Sequence, residues 1–391
     1  DNKTAGQCLE ELRAALGDRG FHIETDEIVR LISFVWAVEC RKGILLDSKD
    51  LLKGEIVRSM AASVAATWLK LKPRVESCAD LIKERDLLEN QGSFNAIIVF
   101  LTWYRLAFDR FDAVSGHVSV IERDSIEKQL NQRAAQFLDR WIFGSQWANV
   151  WGDGAVVNFQ NFATELNSIF DKIKTAQAPG LITAVDDSIH QMMARVSTKA
   201  VEQINNVLVR DRRRVHAYHP FLWVWHRLED DRWKNSSIQM RTGRKRTSKL
   251  EVDHTVADAW WVRSIEQQIQ AKLASFVGTD EEKARIAPDD FESRYDAIAF
   301  INSLGNCSLL DKSFNISKSD KPMRHFLQEV HEFKDGKVQM SDWETALSLT
   351  PTLTLPESSA FADIKNAIQA RDVLIRKDLI EFIGGQKHRV D

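Results

Sequence analysis

Apolar residues recur at helical spacing over almost the whole of residues 1 to about 205, and this periodicity constrains the fold more than any other feature of the chain. "DEIVRLISFVWAVEC" (26–40), "SMAASVAATWLKL" (59–71) and "SFNAIIVFLTWYRLAF" (93–108) each gather their apolar side chains on helical faces. Ser93 and Asn95 are available as caps, and an acidic first turn precedes the first of these runs. Pro73 and Gln91-Gly92 read as punctuation, "WGDGAV" (151–156) as a turn, and "AQAPG" (176–180) as a linker after another amphipathic run, "FQNFATELNSIFDKI". Such helices bury one face against one another, which makes this part of the chain a helical scaffold. No repeat of fixed period appears, so a solenoid is not expected.

At 391 residues the chain exceeds one small core and is expected to form two domains, a helical one over 1–180 and a second over 181–391. The net charge of -3 excludes a polybasic protein, so any nucleic-acid surface has to be local. The longest apolar run, "AIIVFLTW" at 96–103, is too short to span a membrane. Cys8, Cys40, Cys78 and Cys307 lie far apart with no C-x-x-C pair, a pattern that fits reduced thiols in a cytoplasm.

Composition shifts after residue 209. Between Arg210 and Lys249 there are twelve Lys or Arg against four Asp or Glu, including "RDRRR" and "GRKR". A basic stripe in a slightly acidic chain is the footprint of phosphate handling, or else a solvated face laced with salt bridges. Trp223, Trp225 and Trp233 fall in the same stretch; aromatics among basic residues can stack bases, although "FLWVW" also reads as a core segment.

The next feature is a short alternating run, Leu250 and Val252, that reads as a strand and ends on Asp253-His254. A helical segment and an acidic loop follow. Then come the turn dipeptide Gly305-Asn306, a short strand "CSLL", a loop carrying Asn315, and a helix expected over 322–334 with Pro322 in its first turn. The order is strand, insertion, strand, helix. The expected fold class is mainly α, with an N-terminal helical domain followed by an α+β domain whose ββα core lies near 248–334 and whose terminal helix covers 361–383.

This arrangement resembles the His-Asn-His type ββα-metal nuclease fold, and more narrowly the C-terminal part of GmrSD-type, modification-dependent restriction endonucleases. The residues that carry the resemblance are Asp253-His254 at a strand end, "GNCSLL" with Gly305 and Asn306, then Asn315, Lys318 and Lys321. Upstream, "LDRWIFGSQWANVW" (138–151) is similar to the R-W-F-x-x-S helix that precedes this nuclease, and "IQARDVLIRK" (368–377) to the terminal helix with its I-x-x-R signature. Where the family has an apolar residue and then a proline after its His, this chain has Thr255, Val256 and Ala257; that proline shapes the exit from the strand and does no chemistry. The resemblance implies a metal-dependent DNA endonuclease of a bacterial anti-phage restriction system, acting on phage or otherwise foreign DNA. It also implies a ParB-like domain on the N-terminal side in the full-length protein.

The chemistry asks for these residue types in its own right. An imidazole titrating near neutrality is the natural base for a water that attacks a phosphodiester, which gives His254 the role of general base. One hard divalent cation, Mg²⁺ or Mn²⁺, prefers carboxylate and amide oxygens, here Asp253 and Asn315, with Asp320 as the competing carboxylate. Asn306 can fix the loop that holds His254. Lys318, Lys321 and Arg324 add positive charge at a helix start where phosphates bind readily, and Arg244, Lys245 and Arg246 lead directly into the strand. The competing reading makes His254 a hydrogen-bonded core histidine and Asp253 a helix cap, within an inactive DNA-binding or regulatory module. An RNA-cleaving toxin shares the same parts. His325 and His331 read as structural, and His216, His219 and His226 show no ligand spacing.

Neutralising Arg244, Lys245 and Arg246 together is expected to weaken DNA binding for all sequences and to lower the salt slope by up to about three phosphate contacts. Binding measured against salt concentration checks this; an unchanged slope returns "GRKR" to the solvated-face reading.

Overall fold

The computed structural model describes residues 4–45, 53–85, 87, 93–209, 212–228, 250–336 and 339–388. The chain is mainly helical with one small two-stranded sheet. It divides into two compact units, Asp1–Gln203 and Ile204–Asp391. The linker expected at 176–180 shrinks to Ala176 and Gln177, because α7 (Ala178–Asn206) starts at once and runs through residue 180. Pro179 sits in its first turn, where its missing N–H costs nothing.

The first unit is built from α1 (Ala5–Gly17), α2 (Thr25–Cys40), α3 (Gly54–Glu84), α4 (Phe94–Ser115), α5 (Val120–Trp147), α6 (Ala155–Thr175) and most of α7. Thr4 and Gln7 form a capping box that starts α1, and Ser93 caps α4. Pro73 does not punctuate: α3 continues through it. Residues 96–108 of α4 are buried without interruption, and α2, α3, α5 and α6 pack against it. Its aromatics interlock with those of α5, Trp103 meeting Phe137 edge-on at 4.7 Å. Their indole donors are satisfied: Trp103 Nε1 donates to Ser188 Oγ and Trp141 Nε1 to the Ala96 carbonyl, both at 2.8 Å. Arg85 and Asp139 form a buried ion pair.

In the second unit, α8 (His219–Leu228) precedes β1 (Leu250–His254), which pairs antiparallel with β2 (Cys307–Asp311). The insertion between the strands carries α9 (Asp258–Ala274), α10 (Asp280–Ala284) and α11 (Arg294–Phe300). β2 runs without a loop into α12 (Lys312–Lys318), so Asn315 stands on a helix and not in the expected loop. The helix expected over 322–334 is two, α13 (Met323–Glu329) and α14 (His331–Lys334), because Val330 takes an extended conformation between them; Pro322 is the N-cap. After α15 (Met340–Ala346) and α16 (Pro351–Thr354), α17 (Phe361–Gly384) closes the unit. Trp261, Leu310, Phe314, Met323, Trp343, Ile364 and Ile368 share one core. Trp223 and Trp225 are buried in α8, so "FLWVW" is core; Trp233 lies outside the described residues. Among the described residues, no helix is long and apolar enough to cross a membrane.

His226 on α8 is buried, and this desolvation, reinforced by Arg371 and His219, lowers its pKa from 6.5 to about 3. The unfolded chain therefore takes up a proton at His226 below about pH 6.5 while the folded chain stays neutral there. The stability it contributes is complete above that pH and is lost as pH falls through the window, about 2 kcal/mol by about pH 5. His226→Phe is expected to remove this part of the acid-side decline in denaturation midpoint.

Candidate functional site

The register of the sheet sets the site. Asp253 pairs with Ser308 and His254 with Cys307, so both residues end β1 opposite the start of β2. Immediately beyond, Thr255 N donates to the Asn306 carbonyl at 2.8 Å. The Asn306 side chain is fully buried and uses both ends of its amide. Its Oδ1 accepts from Val256 N at 2.8 Å, and its Nδ2 donates to the carbonyls of Val256 at 3.1 Å and Ile301 at 2.9 Å. One amide thus ties the loop leaving His254 to the turn that follows α11.

His254 is buried, and its Nε2 lies 3.0 Å from Oδ1 of Asn302. Cys307, across from it, is fully buried, which pushes its thiol pKa up and keeps it neutral.

Side chains alternate along β1. Glu251 and Asp253 share the face covered by α12. Lys318 Nζ sits 2.8 Å from Asp253 Oδ2 and donates to the His254 carbonyl at 3.1 Å. One turn earlier on α12, Asn315 Nδ2 donates to Glu251 Oε2 at 3.3 Å, and Lys312 Nζ lies 3.8 Å from Glu251 Oε1. Asn315 thus commits its amide nitrogen to Glu251. Asp253 commits Oδ2 to Lys318, while its side chain keeps 14% exposure elsewhere. A carboxylate and an amide oxygen along one strand–helix seam suit a hard divalent cation that fills its remaining positions with water and phosphate oxygens. Among the described residues, no group of three or more His, Cys, Asp or Glu side chains gathers as a metal site.

The seam is held from behind by α17. Arg371, 3% exposed, donates to the carbonyls of Gly305 at 2.7 Å, Cys307 at 2.8 Å and Leu347 at 3.0 Å, and to Ser308 Oγ at 3.0 Å. Burial lowers its pKa to about 10, which leaves it charged at neutral pH. Gly305 lies so close to α17 that a Cβ there would stand 2.1 Å from the Ile368 carbonyl oxygen and 2.6 Å from Asp372 N.

The remaining sequence candidates are placed as follows. Lys318 is 1% exposed, so the expected phosphate contact is corrected to an internal one: its ammonium is spent on Asp253 and the strand end. Arg324 makes a two-pronged ion pair with buried Glu344 at 3.0 and 2.9 Å and stays partly exposed. Lys321 is exposed and pairs with Glu329 at 2.5 Å. Asp320 is exposed just beyond α12. His325 and His331 form surface pairs with Glu357 and Asp335. Arg244, Lys245 and Arg246 lie outside the described residues. Sequence reasoning missed Asn302, Arg371 as a clamp, and Glu251; for Glu251 the signal was its position two residues before Asp253 on an alternating strand.

No protein-family model matches the chain, and neither a curated protein nor a solved structure matches it.

Gly305→Ala is expected to destabilise the protein by at least about 1–3 kcal/mol, because the atoms it meets are helix backbone and cannot step aside. Gly180→Ala, with nothing within 4 Å of the new methyl group, is the control and should melt at the wild-type temperature or above. Thermal melts of the two variants check this.

Proposed function

We propose that the chain is a metal-dependent DNA endonuclease of the His-Asn-His, ββα-metal type, akin to the C-terminal part of GmrSD-type restriction enzymes and directed at foreign DNA. The observation that carries this reading is the Asn306 amide, whose three hydrogen bonds fix the loop behind His254 while Asp253 and Asn315 line the adjoining strand–helix seam. A purely structural Asp-His pair has no need of a buried asparagine that braces the exit from the strand. The strand, strand and helix follow in the order the reading requires, with α12 beginning directly after β2.

In this reading His254 takes the proton from the attacking water. A divalent cation held by Asp253 and Asn315 would supply charge stabilisation at the phosphoryl group and the departing oxygen. Asn306 holds His254 at a fixed height above the strand end, and Lys318 holds Asp253 through its second oxygen. Glu251 draws the Asn315 amide nitrogen and so orients the amide oxygen. With Lys318 engaged internally, phosphate attraction falls to Lys321, to the partly exposed Arg324 and to the basic stretch before β1.

Supercoiled plasmid incubated with the full chain, with and without Mg²⁺ or Mn²⁺, tests the proposal. Nicking or linearisation that requires the cation is expected, and His254→Ala should lower the rate by roughly 10²–10⁴-fold. Asp253→Ala and Asn315→Ala should raise the cation concentration needed for half-maximal rate, with Asp253→Ala the more damaging because it removes the formal charge. Preferential cleavage of RNA identifies the RNA-cleaving alternative. DNA binding without cleavage under any of these cations identifies the regulatory module.

A further inference from the structure

The geometry points to Asn302 as a positioning residue that fixes the tautomer and orientation of the His254 imidazole. This inference rests on the reading of His254 as the general base. An amide oxygen can only accept a hydrogen bond. With Asn302 Oδ1 3.0 Å from His254 Nε2, the imidazole proton belongs on Nε2 and the basic lone pair on Nδ1. Both residues are buried, His254 at 7% and Asn302 at 3% exposure, so water is a poor substitute for the missing acceptor if the ring turns or the proton moves.

The pair is also held from both sides by one group. Asn302 follows α11, with its N–H donating to the Ala299 carbonyl at 3.1 Å. The carbonyl of the preceding residue, Ile301, accepts from Asn306 Nδ2 at 2.9 Å. The same Asn306 amide accepts from Val256 N, two residues past His254, at 2.8 Å. The imidazole and its acceptor are therefore each within two residues of a backbone group bonded to a single side chain, and neither can shift without the other. An acceptor on the far nitrogen of a catalytic imidazole selects which nitrogen is basic; in Ser-His-Asp triads the wrong tautomer costs about 10⁴ in kcat. A neutral amide in place of a carboxylate makes a weaker selection, on the order of 10-fold.

The test uses the full chain with its ten histidines labelled with ¹⁵N, His254 being assigned by its loss in His254→Ala. At a pH where the ring is neutral, ¹⁵N–¹H correlation spectra of the wild type should place the His254 proton on Nε2, as a slowly exchanging resonance. Asn302→Asp keeps an acceptor and should keep that resonance. Asn302→Leu has none and should lose it. In cleavage assays Asn302→Leu should lower kcat by about 10-fold with KM within about twofold, and Asn302→Asp should recover most of the rate. A wild-type proton on Nδ1 overturns the inference without any variant, which covers the case in which Asn302→Leu does not fold. So does loss of the Nε2 resonance in Asn302→Asp, or its persistence in Asn302→Leu. If the spectra behave as expected and no preparation cleaves nucleic acid, the endonuclease reading falls while the assignment of Asn302 stands.

Discussion

A guanidinium in an apolar interior is tolerated only when its donors are satisfied, and the second unit is organised around satisfying those of Arg371. The carbonyls of Gly305 and Cys307, the carbonyl of Leu347 and the hydroxyl of Ser308 receive its four bonds, and its face lies 5.1 Å from the Trp225 ring centroid. Through one side chain, α17 is joined to the 304–306 turn, to the start of β2 and to α8. The turn carries Asn306 and the strand faces His254, so the geometry at the end of β1 is inherited from a charge placed behind it. Gly305 is the counterpart of that arrangement, since only a residue without Cβ lets the turn approach α17 closely enough for these bonds to form.

Charge in this unit is used mostly against itself. Lys318 and Arg324 each hold a carboxylate that is itself poorly exposed, Asp253 and Glu344. For the Lys318–Asp253 pair the desolvation cost of each partner is large, so removing either leaves a buried charge without compensation, and the pair acts as a fixed point of the fold more than as a net source of stability. A phosphate arriving at the strand–helix seam would therefore meet a surface whose strongest cations are already committed.

What the sequence made legible follows from whether an interaction leaves a local trace. The alternation of Leu250 and Val252 placed β1, and "CSLL" placed β2, since a strand's period of two survives in five residues. Asp253, His254 and Asn306 were visible as polar residues interrupting such runs. Asn315 was expected in a loop and stands on a helix, because α12 is only seven residues long and too short to show a helical period. The break at Val330 and the passage of α3 through Pro73 are tertiary overrides of local propensity. Asn302 left no trace, and Arg371 was visible only as part of the I-x-x-R signature and not as a clamp: their partners lie 48 and 24–66 residues away, and a side chain bonded to a distant group imposes no pattern on its neighbours. The linker expected at 176–180 gives way to the start of α7 for a similar reason, a Pro-Gly pair being as compatible with a helix start as with a linker.

The clamp on the 304–306 turn also sets an order of events in synthesis. Arg371 is translated 66 residues after Gly305. β2 ends at Asp311, so at 5–20 residues per second roughly 3–12 s separate the moment at which both strands have been made from the moment at which the residue that locks them together joins the chain. During that interval the Gly305 and Cys307 carbonyls have no guanidinium, and Ile364 and Ile368 are missing from the core they share with Leu310 and Phe314. The strand end that carries His254 is thus completed only after α17 has been made, and a nascent chain holds the residues of that strand end well before it holds their arrangement.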